Sequence, residues 1–521
     1  MVGRKANALL VLGLCLQLTY AANILAVFTY TSHSPFLLVE PYMRALVRNG
    51  HQITIVSSVK PLEDIDGARH IRVPMLDQLM EDLFNFDFES FPLTKWGEAS
   101  VVSQIFRNAS HYTLSDAGVQ ALLRDPKVHF DMVILPASHT DALYGLAQHF
   151  NAALVGISAY ATAWNIDYLA GNKAPSIYEP MLPEGYSNGL SLLDKLRNWV
   201  YITEEWLVER LVYLPQQVSL YKHFFNQPAE SLYAIRRNFS LMLINHHFSL
   251  GRARSNVPNV IEVAGMHMSQ PNVELEPSLK RFLDEAEHGV IYFSMGLEII
   301  NKWLPQHMLQ VLQESFDQLQ WHVVWKFERN TLPKKSERIY ISPLLPQREL
   351  LTHPNVKLFI THGGILSIIE AAYSAVPMLC LPLYYDQFGN AERMKHAGVA
   401  KTLDIPTMTI ESTTRAIKEL IENPIFAHNA KIMSMRLHDQ PMNPLETAVW
   451  WTEYVLRHKG APHMRLSEQD MSFMQYYSLD IASVLLGRIG LAVIIISCVG
   501  LKLIRLLKPF QIRQYHVHIV N

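Results

Sequence analysis

Residues 358–370 read Leu358-Phe359-Ile360-Thr361-His362-Gly363-Gly364-Ile365-Leu366-Ser367-Ile368-Ile369-Glu370. An apolar run ends at Thr361, two glycines follow, and a helix-like stretch opens. Paired glycines let the backbone approach a ligand closely, and the first turn of a new helix offers free N–H groups at its positive end. This pattern suits a phosphate or diphosphate. Ser367 adds a hydroxyl one turn on, and Glu370 follows three residues later on the same helix face. A carboxylate there suits the two hydroxyls of a ribose. Residues 377–382 read as the next strand and lead into Tyr384-Tyr385-Asp386-Gln387. Loops at the carboxyl ends of strands line the ligand crevice of open α/β sheets. Asp386 and Gln387 there offer acceptors and donors for sugar hydroxyls. Alone, His362-Gly363-Gly364 is equally a tight turn with a helix cap; the register with Glu370, Asp386 and Gln387 favours a ligand site.

Outward from this stretch, strand-like runs alternate with helix-length stretches. The first half offers 24–29, 53–57, 132–135, 154–157 and 241–245; the second offers 290–294, 322–327, 339–342, 356–361 and 378–381. Continuous Val/Ile/Leu runs fit strands buried on both faces of a parallel sheet. The alternation predicts two doubly wound, Rossmann-like α/β domains. A run rich in Pro, Asn, Glu and Ser within 265–279 marks the boundary. The stretch 84–91 is aromatic and acidic and suggests no role.

The chain has 521 residues with 45 Lys+Arg against 47 Asp+Glu, so neither a nucleic-acid-binding surplus nor an acidic tail is present. A hydrophobic fraction of 49% and mean hydropathy of +0.06 are too polar for a multi-span membrane protein. Both ends nevertheless address a membrane. Arg4 and Lys5, an apolar run over 8–16 and small residues at Thr19, Ala21 and Ala22 read as a secretory signal peptide. Residues 481–501 are apolar apart from Ser483, Ser497 and Arg488, long enough to span a bilayer. Lys502, Arg505, Lys508 and Arg513 follow, which places the tail in the cytosol and the bulk in the lumen. The sequons at Asn108 and Asn238 agree with that topology. Cys15 leaves with the signal and Cys498 lies in the span, so Cys380 has no intrachain disulfide partner.

The segment 359–387 resembles the signature of the UDP-glycosyltransferases, in their membrane-bound animal branch. Tyr292-Phe293-Ser294-Met295-Gly296, Leu345-Pro346-Gln347, Asp439-Gln440-Pro441, residues 457–461, the 260–267 junction and the terminal span are also family-like. The resemblance implies a GT-B-type fold. The expected divisions are a signal peptide over 1–21, an acceptor-binding domain over 22–270 and a UDP-sugar-binding domain over 271–450. Helices leading to the membrane follow over 451–480, then a transmembrane helix over 481–501 and a basic tail over 502–521. It implies that Ser294, Gly296, His362, Gly363, Gly364 and Ser367 surround the diphosphate, Gln347 lies by the uracil, Glu370 holds the ribose, and Asp386 and Gln387 hold the hexose. His33, which by itself is as often a plain loop histidine, matches the family's general base. An imidazole, with its ordinary pKa near ~6.5, fits that task. No metal and no cofactor beyond the UDP-sugar co-substrate are implied. Residence in the endoplasmic reticulum membrane is expected by family alone, since the tail lacks a terminal Lys-Lys pattern that would serve as an address.

Three positions depart from the family pattern. Pro136 stands where an aspartate usually partners the base, with Asp141 and His139 as nearby substitutes. Leu297 replaces a phosphate-contacting serine, and Leu344 replaces the tryptophan that stacks on uracil. The expected function is inverting transfer of a hexosyl group, with glucose the leading sugar, to a hydroxyl of a small lipophilic acceptor. The alternative is a catalytically weak or inactive relative that binds UDP-sugar or serves as a hetero-oligomeric partner of active homologues; for either reading a homo- or hetero-oligomer is an open expectation.

Overall fold

The computed structural model describes residues 21–84, 94–160, 163–172, 191–251, 254–270, 272–297, 304–328, 336–383, 386–465, 472–476 and 478–516. The signal-peptide run, the body of the 84–91 stretch, Tyr384 and Tyr385 lie outside the described residues.

Two wholly parallel sheets organise residues 21–465. The first contains β1 (Asn23–Phe28), β2 (Gln52–Ser57), β3 (Ala68–Arg72), β4 (Met132–Pro136), β5 (Ala153–Ser158), β6 (Phe239–Ile244) and β7 (Val260–Glu262), in the order β3-β2-β1-β4-β5-β6-β7. The second contains β8 (Val290–Ser294), β9 (His322–Lys326), β10 (Ile339–Ser342), β11 (Val356–Thr361), β12 (Met378–Cys380) and β13 (Ala400–Thr402), in the order β10-β9-β8-β11-β12-β13. Both are doubly wound, and each reverses its winding once: between β1 and β4, and between β8 and β11. Ligands in such sheets bind outside the carboxyl ends of the strands at this reversal. The central strands are buried along almost their whole length, as their unbroken apolar runs require.

β3, β7 and β13 went unmarked in the sequence. All three are sheet edges. β3 carries Arg69, His70 and Arg72, and β7 and β13 have three residues each, so none shows a long apolar run.

Helix Ser34–Arg48 opens with Pro35 in its first turn and buries Phe36, Leu38, Val39, Tyr42, Met43 and Leu46. Proline suits that turn because its missing N–H has no helical acceptor there anyway. The Tyr42 hydroxyl hydrogen-bonds Thr452 of helix Pro444–Arg457. Leu445, Ala448, Val449 and Val455 of that helix join Ile24, Ala26 and Val39 in one core cluster. The chain therefore returns to the first sheet after building the second. The expected division at 450 falls inside this returning helix, which belongs to the first domain's core rather than to a path toward the membrane.

Residues 469–521 form a separate unit. Its helix Leu479–His516 contains the stretch Leu479–Leu506, long and apolar enough to cross a membrane. The helix continues past Lys502 and Arg505 rather than ending at 501. Asn108 lies within helix Lys95–Ser115, where Ser110 is buried and donates to Gln217 at 2.9 Å. Asn238 is exposed just before β6, and its side-chain oxygen accepts from Arg465. Cys380 is buried in β12, where burial pushes its thiol up to about 12.

Candidate active site

A cavity of about 340 Å³ opens at the carboxyl ends of β8 and β11, where the second sheet reverses. Thr361 pairs with Ser294 across these strands. The turn after Ser294 therefore lies beside the His362 turn. Gly296 has φ +84°, and a Cβ there would sit 2.7 Å from the His362 ring. Gly363 has φ +86°, a region that L side chains rarely adopt. Gly364 is at φ −62°, but a Cβ on it would meet His362 Nε2 at 2.4 Å. The glycines thus leave room for the imidazole at the start of helix Ile365–Tyr373. That helix directs its first-turn N–H groups, which have no intrahelical acceptors, toward the cavity.

Burial, and then the Lys326 charge, lower the His362 pKa to about 4. The imidazole is neutral at neutral pH and able to donate from one nitrogen and accept at the other. Lys326 ends β9, is buried, lines the cavity and pairs with Glu328 at 2.7 Å.

Gln347 begins the short helix Gln347–Leu351. Its amide donates to Ser367 Oγ at 3.1 Å and to Glu370 Oε2 at 2.8 Å, and its oxygen accepts from the Tyr292 hydroxyl at 3.1 Å. Ser367 and Glu370 are buried one helical turn apart, as their spacing predicts. Asp386 immediately precedes helix Gln387–His396 and accepts from Asn390 Nδ2 at 2.7 Å, while Gln387 Oε1 accepts from the Leu383 amide at 2.8 Å. Both line the cavity. Gly363 stands just behind, its carbonyl accepting from Asn390 at 2.9 Å. Leu297 and Leu344 also line it, Leu344 at 71% exposure.

The first domain contributes Ser34, Pro35, Leu37, Ala159 and Tyr160 to the same cavity. His33, which is the N-cap of helix Ser34–Arg48, immediately precedes these residues. Pro136 ends β4, next to β1 at the first sheet's reversal. Both substitutes for the missing aspartate sit in a buried charge cluster. Asp141 is buried with its carboxylate 2.6 Å from Arg236 Nε. His139 Nδ1 lies 2.7 Å from Glu209, and its ring stacks on Tyr213 at 3.9 Å. Arg236 also bonds Glu209. Burial raises the Asp141 pKa despite Arg236, whereas Arg236 and His139 hold Glu209 below the ordinary carboxylate range. Asp141 is thus a member of a buried charge cluster with Arg236 and Glu209. Sequence reasoning missed Lys326, Tyr160 and His267 as cavity residues. For Lys326 the signal was present, since it ends a strand at the edge already read as the ligand crevice.

The family profile described as "UDP-glucoronosyl and UDP-glucosyl transferase" matches residues 21–510. The chain belongs to this family of UDP-glycosyltransferases. UDP-glycosyltransferase UGT5 of Dactylopius coccus is 32% identical over 495 residues, covering 94% of this chain and 93% of the relative. Human UDP-glucuronosyltransferase 2B15 is 27% identical, covering 90% of this chain and 91% of the relative. Among solved structures, the calicheamicin glycosyltransferase CalG4 aligns with a TM-score of 0.58 at 15% identity, covering 84% of this chain and 99% of CalG4. VinC in complex with dTDP aligns at 0.56 and 18%, covering 84% of this chain and 100% of VinC. These likenesses establish the GT-B fold of this UDP-glycosyltransferase.

Proposed function

We propose that this UDP-glycosyltransferase transfers a hexosyl group, with glucose the expected sugar, from a UDP-sugar to a hydroxyl of a small lipophilic acceptor. The observation that carries the reading is the clustering of Gln347, His362, Ser367, Glu370, Asp386 and Gln387 around one cavity at the second sheet's reversal. In this reading the helix start at Gly364 and the His362 turn hold the diphosphate, Glu370 the ribose, and Asp386 with Gln387 the hexose. His33 accepts the acceptor's hydroxyl proton as its oxygen bonds to the anomeric carbon. The bond from that carbon to the diphosphate oxygen breaks, and UDP leaves with the electron pair. Attack from the opposite face inverts the anomeric centre. Amide dipoles and polar side chains stabilise the leaving charge, so the reading routes no step through a metal. The proposed setting is the endoplasmic reticulum membrane, with helix Leu479–His516 as anchor, the catalytic portion in the lumen and the basic end in the cytosol.

The test is turnover of labelled UDP-glucose by microsomes containing the protein, over a panel of phenolic and steroidal acceptors. Pro136 and the engagement of Asp141 by Arg236 favour a second reading, a weak or inactive relative that binds UDP-sugar. Binding of UDP without turnover of any donor would select it.

Two further outcomes bear on the donor site. Leu344→Trp supplies a ring beside the cavity and should tighten UDP binding about threefold to tenfold, the value of one aromatic stack. Unchanged affinity by calorimetry would remove Leu344 from the uracil site. The second outcome concerns His362, lowered from 6.5 to about 4. A bound diphosphate raises it again, so binding takes up a proton between those values. Affinity for UDP, relative to a His362→Gln protein, should therefore rise as pH falls from neutral toward 5, by about tenfold for each pH unit below the recovered pKa. A flat ratio would place the diphosphate away from His362.

A further inference from the structure

We infer that His267, in the segment joining the two domains, hydrogen-bonds the ribose of the nucleotide together with Glu370. This rests on the reading of the cavity as a UDP-sugar site and goes beyond the residues that the family signature supplies.

His267 lies in the single-turn helix Met266–Ser269, directly after Gly265. It is 5% exposed and lines the cavity. Among the described residues, neither ring nitrogen has a hydrogen-bond partner. A buried imidazole without partners is costly, since each stranded polar group forfeits its hydration. Its Nε2 stands 3.4 Å from Glu370 Oε1, an ion-pair approach longer than a good hydrogen bond. The other carboxylate oxygen, Oε2, already accepts from Gln347. The carboxylate is therefore held on one side, while its free oxygen and the imidazole share the other.

The position of the ring is set by its neighbours. Gly265 has φ +89°, and a Cβ there would meet the Tyr373 hydroxyl at 2.4 Å and its ring at 2.5 Å. Val263 and Met266 are buried in a core of the first domain, and Ala264 in a core of the second. Anchored on both sides, the segment delivers the imidazole to one place. A carboxylate can only accept hydrogen bonds, whereas a neutral imidazole donates at one nitrogen and accepts at the other. Glu370 and His267 together match a vicinal diol, whose two hydroxyls both donate and accept.

The test uses the full chain in detergent micelles, with UDP, 2′-deoxyuridine diphosphate and 3′-deoxyuridine diphosphate as calorimetric ligands. His267→Phe keeps the ring volume and loses both nitrogens. It should bind UDP roughly fivefold to tenfold more weakly than the unaltered protein, the value of one neutral hydrogen bond. Toward at least one deoxy analogue the two proteins should agree within about twofold, because the hydroxyl served by the imidazole is gone. An equal loss toward all three ligands would make His267 a packing residue and overturn the inference while leaving the cavity reading intact. No UDP binding by the unaltered protein would overturn the cavity reading and the inference with it. Should His267→Phe fail to fold, His267→Leu, which likewise has no hydrogen-bonding group, carries the same comparison. Its loss toward UDP must again vanish for one deoxy analogue, and a uniform loss or none at all overturns the inference.

Discussion

His33→Ala is expected to lower turnover of a UDP-sugar by about 10²-fold or more, the usual contribution of a positioned general base. UDP affinity should stay within about twofold, because His33 itself is not among the residues lining the donor cavity. The residue follows β1 at the reversal of the first sheet, and its neighbours Ser34 and Pro35 enter the cavity built by the second. In the proposed reaction the acceptor hydroxyl is met from one domain and the donor from the other. The measurement is kcat alongside calorimetric UDP binding for the same preparation. Unaltered kcat in the alanine protein would transfer the proton-accepting role away from His33. A parallel loss of UDP binding would mean that the substitution disturbed the donor site instead.

Arg236→Met should destabilise the folded chain by about 3–5 kcal/mol, as expected when one partner of a buried ion cluster is removed. The guanidinium faces both Asp141 and Glu209, and all three side chains are buried. Without it, burial raises the Asp141 pKa further above its unfolded value, and Glu209 loses the largest of the charges that hold it down. The folded variant then binds more protons than the unfolded chain at mildly acidic pH. By linkage its stability rises as pH falls through that raised value. The deficit against the unaltered protein should therefore be largest near neutral pH and shrink toward pH ~5. Denaturant unfolding at the two pH values checks this; an unaltered midpoint at neutral pH would show that the cluster contributes nothing net.

How much of the site was legible depends on how local its signals are. His362, Gly363, Gly364, Ser367 and Glu370 occupy one strand-turn-helix unit, and their spacing alone set their relation. Asp386 and Gln387 were legible because the following strand ends just before them. Lys326 obeyed the same rule but carried no neighbouring motif. His267 was legible only as part of a family-like junction, with no chemistry attached. The ion pair of Asp141 with Arg236 was not legible, because sequence proximity to Pro136 says nothing about which buried cation a carboxylate meets. Arg236 lies 95 positions away and reaches it through the packing of helix Ala229–Arg236.

The amino-acid sequence by itself determined the central strands, the glycine turn and the apolar terminal helix. Each depends on hydrophobic runs or backbone freedom within a dozen or so neighbouring residues. The edge strands β3, β7 and β13 escaped it, because partial exposure or shortness erases such a run. Only the tertiary structure decided the strand orders, the return of helix Pro444–Arg457 to the first core, the meeting of His267 with Glu370 and the closure of Arg236 on two carboxylates. Those contacts join residues far apart in the chain, and burial of whole surfaces rather than local pattern selects them.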